Sequence, residues 1–535
     1  MHLKSGGKII QCIFLITIIL FVLDVVKLCA QLQMAADDEI KILIKKIVVK
    51  GNKVIDTETL QKVTEPYQNK ELTLEEMGEV VDLVTITYQE KGYILARAFL
   101  PEQDIKEGIL IIAVMEGNIG KIKVSGKTHY NENVIKRYFK QQLEHGVIKE
   151  SYLEKGILLS SETPKLKTNV VLKKGEKPGD VDVILDTEDT FVATFGLTLG
   201  FDYNNYGSPA VSDTRFGTTI NIIDHNWGSL LELRGVMGNH VQDSLLGTLR
   251  WIVPVNSYGT KFSVNLLQSN YAVGQDLADL GLEGHSSFYG AEVLHPLIVK
   301  KNANMNLAIG YEHKYVRSII LDQDRAIDET GVFHLALNFD NLDRFLGKNI
   351  FSLGLSFGEI DYDDNLSPSR LGADQHFEHI NLNLVRIQKI YGYTNLLVRA
   401  SGQLSNDRLL PIEMFVIGGY GSVRGYDPSL FLGDSGYTLS AELMLPPPFI
   451  KEKNVFGQKL AQLMQIALFV DNGGVYITEP TETEYHDQIL TGAGIGLRLF
   501  YKDKFVFRYD YAVPLDKIEG QKDYYNYFSF ALNFF

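Results

Sequence analysis

The sequence predicts a transmembrane antiparallel β-barrel of about 16 strands, preceded by two small α+β domains. Three observations predict it. Residues 1–30 read as an export leader, residues 40–187 state one β-α-α-β-β unit twice, and residues 190–535 alternate apolar and polar positions with almost no sustained helical pattern. These observations divide the chain into a leader (1–30), a first repeat (40–117), a second repeat (118–187) and a barrel (190–535).

Composition is consistent with that class and excludes others. The 535 residues carry a formal charge of −14, which argues against a nucleic-acid partner as the main activity. A mean hydropathy of −0.03 excludes a polytopic helical membrane protein. A membrane barrel is allowed, because its strands average to near neutrality.

In the leader, Lys4 and Lys8 precede an apolar run from Ile9 to Leu23, and Leu28-Cys29-Ala30 precedes Gln31. Charged, apolar and cleavage regions in that order make a secretory signal with a cut after Ala30. Cys12 and Cys29 are the only cysteines. The exported chain is therefore expected to lack disulfides, iron–sulfur clusters and thiol catalysis. An exported, acidic chain with 27 Tyr and 28 Phe points to a bacterial outer membrane.

The repeat shows in Ile44–Gly51 against Ile119–Gly126, two short strands that each end on glycine. In the first copy, helices are expected over Asp56–Val63 and Leu74–Gln89, the latter with Met77, Val80, Val81, Val84 and Tyr88 on one face. Strands over Tyr93–Leu100 and Ile109–Met115 close it. In the second copy, helical stretches are expected over Asn131–Leu143 and Ser151–Leu159, then strands over Leu166–Lys173 and Asp180–Leu185.

The last five strands of the barrel are the clearest. Tyr437–Leu445, Gln465–Asp471, Ile489–Leu499, Phe505–Val513 and Tyr527–Phe534 each alternate with period two. Glu442, Asp471, Arg498, Arg508 and Asp510 fall on the polar phase. A soluble sandwich would place its apolar phase in a core; strands of about 9–12 residues with Arg and Asp opposite that phase fit a bilayer wall. Tyr437, Phe505, Tyr511 and Phe528 near strand ends fit interfacial girdles. Tyr501–Lys504 reads as a short turn, and Asn472–Asp487 and Pro514–Tyr524 as long outer loops. Pro446–Leu460 should be periplasmic by this alternation, yet it is long, and it reads as an insertion.

Two sets of motifs carry a resemblance. Tyr88-Gln-Glu-Lys-Gly-Tyr93, Leu100-Pro-Glu-Gln103, Gly108 and Glu116-Gly117 resemble the first POTRA domain of the two-partner secretion transporters, the TpsB family. Gly421 with Val423-Arg-Gly-Tyr426 resembles that family's VRGY loop, and Phe469-Val-Asp-Asn-Gly473 its FxDxG strand. Asp202–Ser208 with Arg215-Phe-Gly217 is similar to its opening strand and loop.

The resemblance implies an outer-membrane translocator with periplasmic POTRA domains. It would export an unfolded partner exoprotein of haemolysin or adhesin type, by type V two-partner secretion. Client would dock by strand addition to a sheet edge, near Tyr93, Arg97, Leu100, Pro101 and Gln103. The loop 418–434 would fold into the lumen and place Arg424 against Asp471. Val423, Gly425, Tyr426, Phe469 and Gly473 complete that lock, with Glu442 as a second candidate partner. Independently of the resemblance, Asp471 lies in the inward phase, and an Arg–carboxylate pair is planar and bidentate, which fixes position.

A barrel-assembly factor of the same superfamily shares both late motifs and stands as the alternative; a passive porin would not need the repeats. No phosphate loop or zinc-spaced histidine pair suggests an enzyme. His376 and His379 are expected on the surface, and Asp361, Asp363 and Asp364 in an ordinary acidic loop. No cofactor, metal, nucleotide or nucleic acid is expected; outer-membrane lipid and a monomeric state are. The family's N-terminal plug helix is expected to be missing, since only Gln31 to Ile40 separate the leader from the first strand.

Overall fold

The computed structural model describes residues 40–190, 196–239, 244–273, 281–361, 366–502 and 504–534. The leader with Cys12 and Cys29, the segment from Gln31 to residue 39, Asp363, Asp364 and Phe535 lie outside the described residues. Two compact units emerge. One holds the described residues up to Lys121 with Gln142–Ser151 and Leu172–Val183; the other holds Ile122–Gln141, Tyr152–Val171 and the chain from Ile184 on.

The first repeat begins with β1 (Ile42–Ile44), β2 (Lys46–Lys50) and α1 (Thr57–Thr64). It continues with β3 (Lys70–Leu72), α2 (Leu74–Glu90), β4 (Arg97–Phe99) and β5 (Ile109–Met115). Asp56 caps α1 by accepting from the Thr59 amide at 2.7 Å. Thr73 and Glu76 form a reciprocal capping box on α2, at 3.1 and 2.8 Å. The expected stripe of Met77, Val80, Val81, Val84 and Tyr88 is the buried face of α2. It packs on Ile47, Val49, Leu110, Ile112 and Val114 of the sheet β2-β5-β4.

The strand expected over Tyr93–Leu100 is only three residues long. The Tyr93 amide donates back to the Tyr88 carbonyl at 3.0 Å, and Ala96 to Tyr93 at 3.0 Å, so Tyr93–Ala96 is spent on the turn that leaves the helix. The pair β1–β3 is too short to leave a periodic signal.

The second repeat runs β6 (Asn118–Lys127), α3 (Glu132–Lys136), α4 (Lys140–His145), α5 (Glu150–Ser161), β7 (Leu166–Lys174) and β8 (Asp180–Asp189). Its sheet order is β6-β8-β7. The helix expected over Asn131–Leu143 is interrupted by a 3₁₀ turn at Arg137–Phe139.

Sixteen strands then close into one antiparallel barrel. The first eight are β9 (Gly196–Asn204), β10 (Arg215–Asp224), β11 (Ser229–Gly238), β12 (Ser244–Pro254), β13 (Lys261–Ala272), β14 (Glu283–Lys300), β15 (Ala303–Ile320) and β16 (Gln323–Leu342). Then come β17 (Gly347–Asp361), β18 (His376–Tyr391) and β19 (Thr394–Leu404). A short hairpin, β20 (Phe415–Ile417) with β21 (Phe431–Gly433), pairs only with itself and stands apart from the wall. The wall resumes with β22 (Ser435–Leu445). After the small pair β23 (Asn454–Val455) and β24 (Gln458–Lys459), it finishes with β25 (Met464–Tyr476), β26 (Asp487–Tyr501), β27 (Phe505–Pro514) and β28 (Tyr525–Phe534). Six residue pairs, Ser529↔Asn204 to Phe534↔Leu199, close β28 onto β9.

Alternation sets the wall as expected. Leu439, Leu468, Val470 and Ile495 face outward and are exposed, whereas Glu442, Asp471, Arg498 and Asp510 face inward and are buried. Strand length departs from the expected 9–12 residues: β14 and β15 have 18 residues and β16 has 20. At about 3.4 Å per residue and a tilt near 40°, such strands rise past a hydrocarbon layer of about 30 Å. His379 also departs from expectation. It lies in the inward phase of β18, is 6% exposed and sits 3.6 Å from Glu413, whereas His376 is exposed. The position is buried because the loop bearing Glu413 covers the inner wall there.

Candidate functional site: the inward loop and its charge cluster

Between β19 and β22 the chain leaves the wall for thirty residues, 405–434, and β20 pairs with β21 at the neck of the segment that carries the VRGY residues. Gly418, Gly419 and Gly425 adopt φ of +108°, +85° and +103°, a region open to glycine. Gly421 has no positive φ and open space around it, so the turn does not depend on it.

Val423 and Tyr426 are fully buried among Ile417, Val475 and Leu490. The Tyr426 hydroxyl lies 2.8 Å from the Thr491 carbonyl oxygen and accepts from the Asp516 amide at 3.1 Å. Tyr527 accepts from the Gly425 amide at 3.2 Å and donates to the Tyr426 carbonyl at 3.0 Å.

Arg424 is 2% exposed. Its Nε and Nη2 donate to the two carboxylate oxygens of Asp471 at 2.7 and 2.9 Å, and Nη1 donates to Glu442 at 3.0 Å. The guanidinium carbon stands 3.4 Å from the centroid of the Phe469 ring, a cation–π contact. Phe469 and Asp471, two apart on β25, thus serve the same cation from one inward face.

Arg498 on β26 completes the cluster. It donates through Nε to Glu442 at 3.1 Å and stands 2.8 Å from Asp510 on β27. Asp510 also lies 3.6 Å from Arg424. It is fully buried and has no well-directed hydrogen bond among the described residues, so charge holds it rather than bond geometry. Two guanidiniums and three carboxylates therefore share one buried site.

Space for the loop comes from glycine. A Cβ at Gly473 would stand 2.8 Å from the Val423 methyl, and one at Gly492 would overlap the Arg424 carbonyl. Gly494 and Gly496 likewise leave room for the Phe469 ring and for Asp510. The sequence places Gly492, Gly494, Gly496 and Arg498 on the inward phase of β26 and Asp510 on that of β27 without assigning them to the site, whereas Gly473 on β25 is an expected member of it. The overlooked signal is the Gly492, Gly494, Gly496 series: glycine at every second position empties one face of a strand.

A second charged set lies in the outer loops. Arg370 pairs with Asp434 at 2.6 Å and Glu484 at 2.9 Å, and Arg408 pairs with Glu484 at 2.8 Å. Asp434, fully buried, also accepts from the Leu409 and Thr478 amides at 2.7 and 2.8 Å. Lower down, Glu413 accepts from Lys314 at 3.0 Å and from Thr330 at 3.1 Å.

The expected docking residues of the first repeat divide in two. Tyr93 is 6% exposed and stacks with His145 inside its unit. The Gln103 amide bonds both backbone groups of Ile111, at 2.7 and 2.8 Å, and so extends the sheet past the end of β4. Arg97 is exposed, and Leu100 and Pro101 are half-buried.

Residues 42–117 match the POTRA domain of ShlB type, and residues 192–499 match the family described as haemolysin secretion/activation protein ShlB/FhaC/HecB. The second match spans more than half of the chain. The chain belongs to the ShlB/FhaC/HecB family. It is accordingly an outer-membrane translocator that exports a partner exoprotein, with its POTRA region in the periplasm. Family membership decides for the exporter over the assembly factor.

Among relatives, the Heme/hemopexin transporter protein HuxB of Haemophilus influenzae (strain 86-028NP) is 23% identical over 88% of this chain and 83% of its own length. The Outer membrane transporter CdiB of Escherichia coli O6:K15:H31 (strain 536 / UPEC) is 23% identical over 85% of this chain and 76% of its own. The solved structure of CdiB from Escherichia coli shares the fold with a TM-score of 0.75 at 19% identity, covering 94% of this chain and 92% of that one.

Proposed function

We propose that the inward loop 405–434 is the closure element of the export pore and that the cluster of Arg424, Glu442, Asp471, Arg498 and Asp510 is its lock. One observation carries this reading: a bidentate Arg424–Asp471 pair, buried on both sides, ties a loop residue to the barrel wall 47 positions later. Such pairs fix geometry more than they stabilise, because desolvation offsets much of the attraction. A pore that must pass a chain needs that kind of element, one held in register yet releasable.

The client of this reading is an unfolded secreted exoprotein of haemolysin or adhesin type. It docks on the first POTRA domain, 40–117, beside Arg97, Leu100 and Pro101; Tyr93 and Gln103 act there through the fold of the domain. The second repeat, 118–187, is a POTRA domain that connects docking to the barrel of 190–535. The transporter works as a monomer in lipid, without cofactor, nucleotide or nucleic acid, and catalyses no reaction. Folding of the client outside the cell prevents its return and supplies direction. Deleting Ile44–Glu116 is expected to abolish export while leaving a heat-modifiable barrel in the membrane. Normal export by that deletion would refute client docking on the first domain.

A further inference from the structure

We propose that the connection 446–463 is a membrane-interface anchor, which inserts Phe449 and Phe456 into the periplasmic leaflet of the outer membrane and holds anionic phospholipid headgroups with Lys451 and Lys453. The proposal rests on the reading of the chain as an outer-membrane barrel.

The connection joins β22 to β25, at the end of the barrel where the other connections are short turns such as 301–302 and 392–393. It is long and folds on itself. β23 pairs with β24, and a one-turn helix, α6 (Leu460–Leu463), leads into the wall. The Leu460 amide donates to Lys453 at 2.8 Å and the Ala461 amide to Lys451 at 3.0 Å. Backbone polar groups satisfied within the segment let it approach hydrocarbon, where an unpaired group would be costly.

Pro447, Ala461 and Leu463 are buried, but three other apolar side chains of the connection stand out from the protein. Phe449 is fully exposed, Phe456 is 79% exposed and Ile450 about half exposed. Both phenylalanines sit at positive φ, +64° and +51°, a region that bulky residues avoid. At the hairpin tip, Phe456 precedes Gly457 at φ +77°, a turn with two left-handed residues that ordinarily takes Asn or Asp first. Backbone strain that serves only to project two aromatic rings into water would have no return.

Position and charge identify the occupant. The Phe456 ring meets the Tyr501 ring edge-on at 5.6 Å. Tyr501 ends β26 in its outward phase, with Leu497 and Leu499, so the hairpin continues the lipid-facing surface at its periplasmic edge. Of the three lysines, Lys459 is paired with Glu452 at 2.7 Å, and Lys451 and Lys453 extend as exposed cations beside the apolar tip. Apolar tip plus flanking lysines, in a chain of net charge −14, matches an anionic phospholipid surface.

The test uses the full mature chain in lipid nanodiscs, with Phe456→Cys or Glu482→Cys carrying an environment-sensitive fluorophore. Glu482, in the outer loop 477–486, is the water-exposed control. In phosphatidylethanolamine–phosphatidylglycerol discs, the label at 456 should emit at shorter wavelength, be quenched by lipids brominated high on the acyl chain, and resist iodide. The Lys451→Glu/Lys453→Glu pair should shift that emission back toward the value in phosphatidylcholine discs. Iodide quenching at 456 equal to that at 482, in a barrel whose heat-modifiable mobility shows it folded, would overturn the anchor. Iodide protection without bromine quenching would point to a protein occupant, including a second copy of the chain, and would equally overturn it. Identical emission in phosphatidylglycerol and phosphatidylcholine discs would overturn the headgroup contact. Loss of heat-modifiable mobility in the unaltered protein would instead refute the barrel reading beneath it.

Discussion

Arg424 holds Asp471 with three bonds to one carboxylate: Nε at 2.7 Å, Nη2 at 2.9 Å and the backbone amide at 3.2 Å. The first prediction follows from the charge balance around this pair. Removing Arg424 leaves Glu442, Asp471 and Asp510 with one buried guanidinium, Arg498, and the more exposed Arg399 at 3.9 Å from Glu442, whereas removing Asp471 leaves two carboxylates for the two buried guanidiniums. Breaking a buried ion pair by deleting one partner costs about 3–5 kcal/mol, less where water enters. Arg424→Ala should therefore impair export more than Asp471→Asn, and the double variant should be little worse than Arg424→Ala. Export assays on all three, with barrel level read from heat-modifiable mobility, check this. Strictly additive defects would show that the two residues act separately.

The glycines of the wall give a prediction that leaves every charge in place. Gly473→Ala should push on Val423 and Gly492→Ala on the Arg424 carbonyl, so both should displace the loop from its seat. The expected reading is a larger and noisier single-channel conductance in planar bilayers. Gly235→Ala on β11 meets no atom within 4 Å and should conduct as the parent does. Unchanged conductance in Gly492→Ala would mean that the loop does not close the pore.

Much of this site was legible because period-two alternation is a local property. It assigns Asp471, Glu442, Arg498 and Asp510 to the lumen without any strand partner. What it could not supply is which inward residues meet, since that depends on register across β22, β25, β26 and β27. Glu442 lies opposite Phe469, and Asp471 opposite Gly492, only once the barrel closes. The burial of His379 is invisible to alternation for the same reason: the Glu413 loop that covers it arrives from 34 residues away. The burial of Tyr93 is hidden from the sequence by a different route. Its motif invites a surface role, but the turn after α2 folds the ring into the core. Strands β14–β16 exceed the expected length because alternation does not end where the bilayer does.

Glu116, a member of the POTRA-like motif, has a structural role that can be tested. Its carboxylate accepts from the Lys53 and Val54 amides at 2.6 and 3.0 Å and from the Tyr88 hydroxyl at 2.9 Å. Burial, and then the Glu116 carboxylate, raise the Tyr88 phenol well above its ordinary range, so Tyr88 stays a donor at every working pH. Glu116→Ala would orphan two amides and a buried hydroxyl, at about 1–3 kcal/mol for each donor left unsatisfied. The first domain should then become protease-sensitive in the full chain while the barrel remains heat-modifiable. Glu116→Gln keeps an acceptor and should be intermediate. Resistance of Glu116→Ala equal to the parent would remove this carboxylate from the account.

The outer loops provide a pH prediction with a defined sign. Burial raises the Glu484 carboxyl, but the Thr481 amide and the guanidiniums of Arg408 and Arg370 outweigh it and bring the group down to about 2. A released loop would carry an ordinary carboxyl near 4.3 and so bind protons more readily than the latched one. The contribution of Glu484 to the latch is therefore complete above about 4.5 and is lost as pH falls toward 2. Acidifying only the outer compartment of a reconstituted bilayer should leave conductance steady from pH 7 to 5 and destabilise it below. Glu484→Gln should show the loosened behaviour already at pH 7, because neutral glutamine cannot pair with both arginines. The difference between parent and variant isolates Glu484 from Asp434 and the other carboxylates, and it should shrink between about pH 4.5 and 2. A difference already gone at pH 6, or undiminished at pH 2, would show that the Arg370–Glu484–Arg408 bridge does not hold the outer loops together.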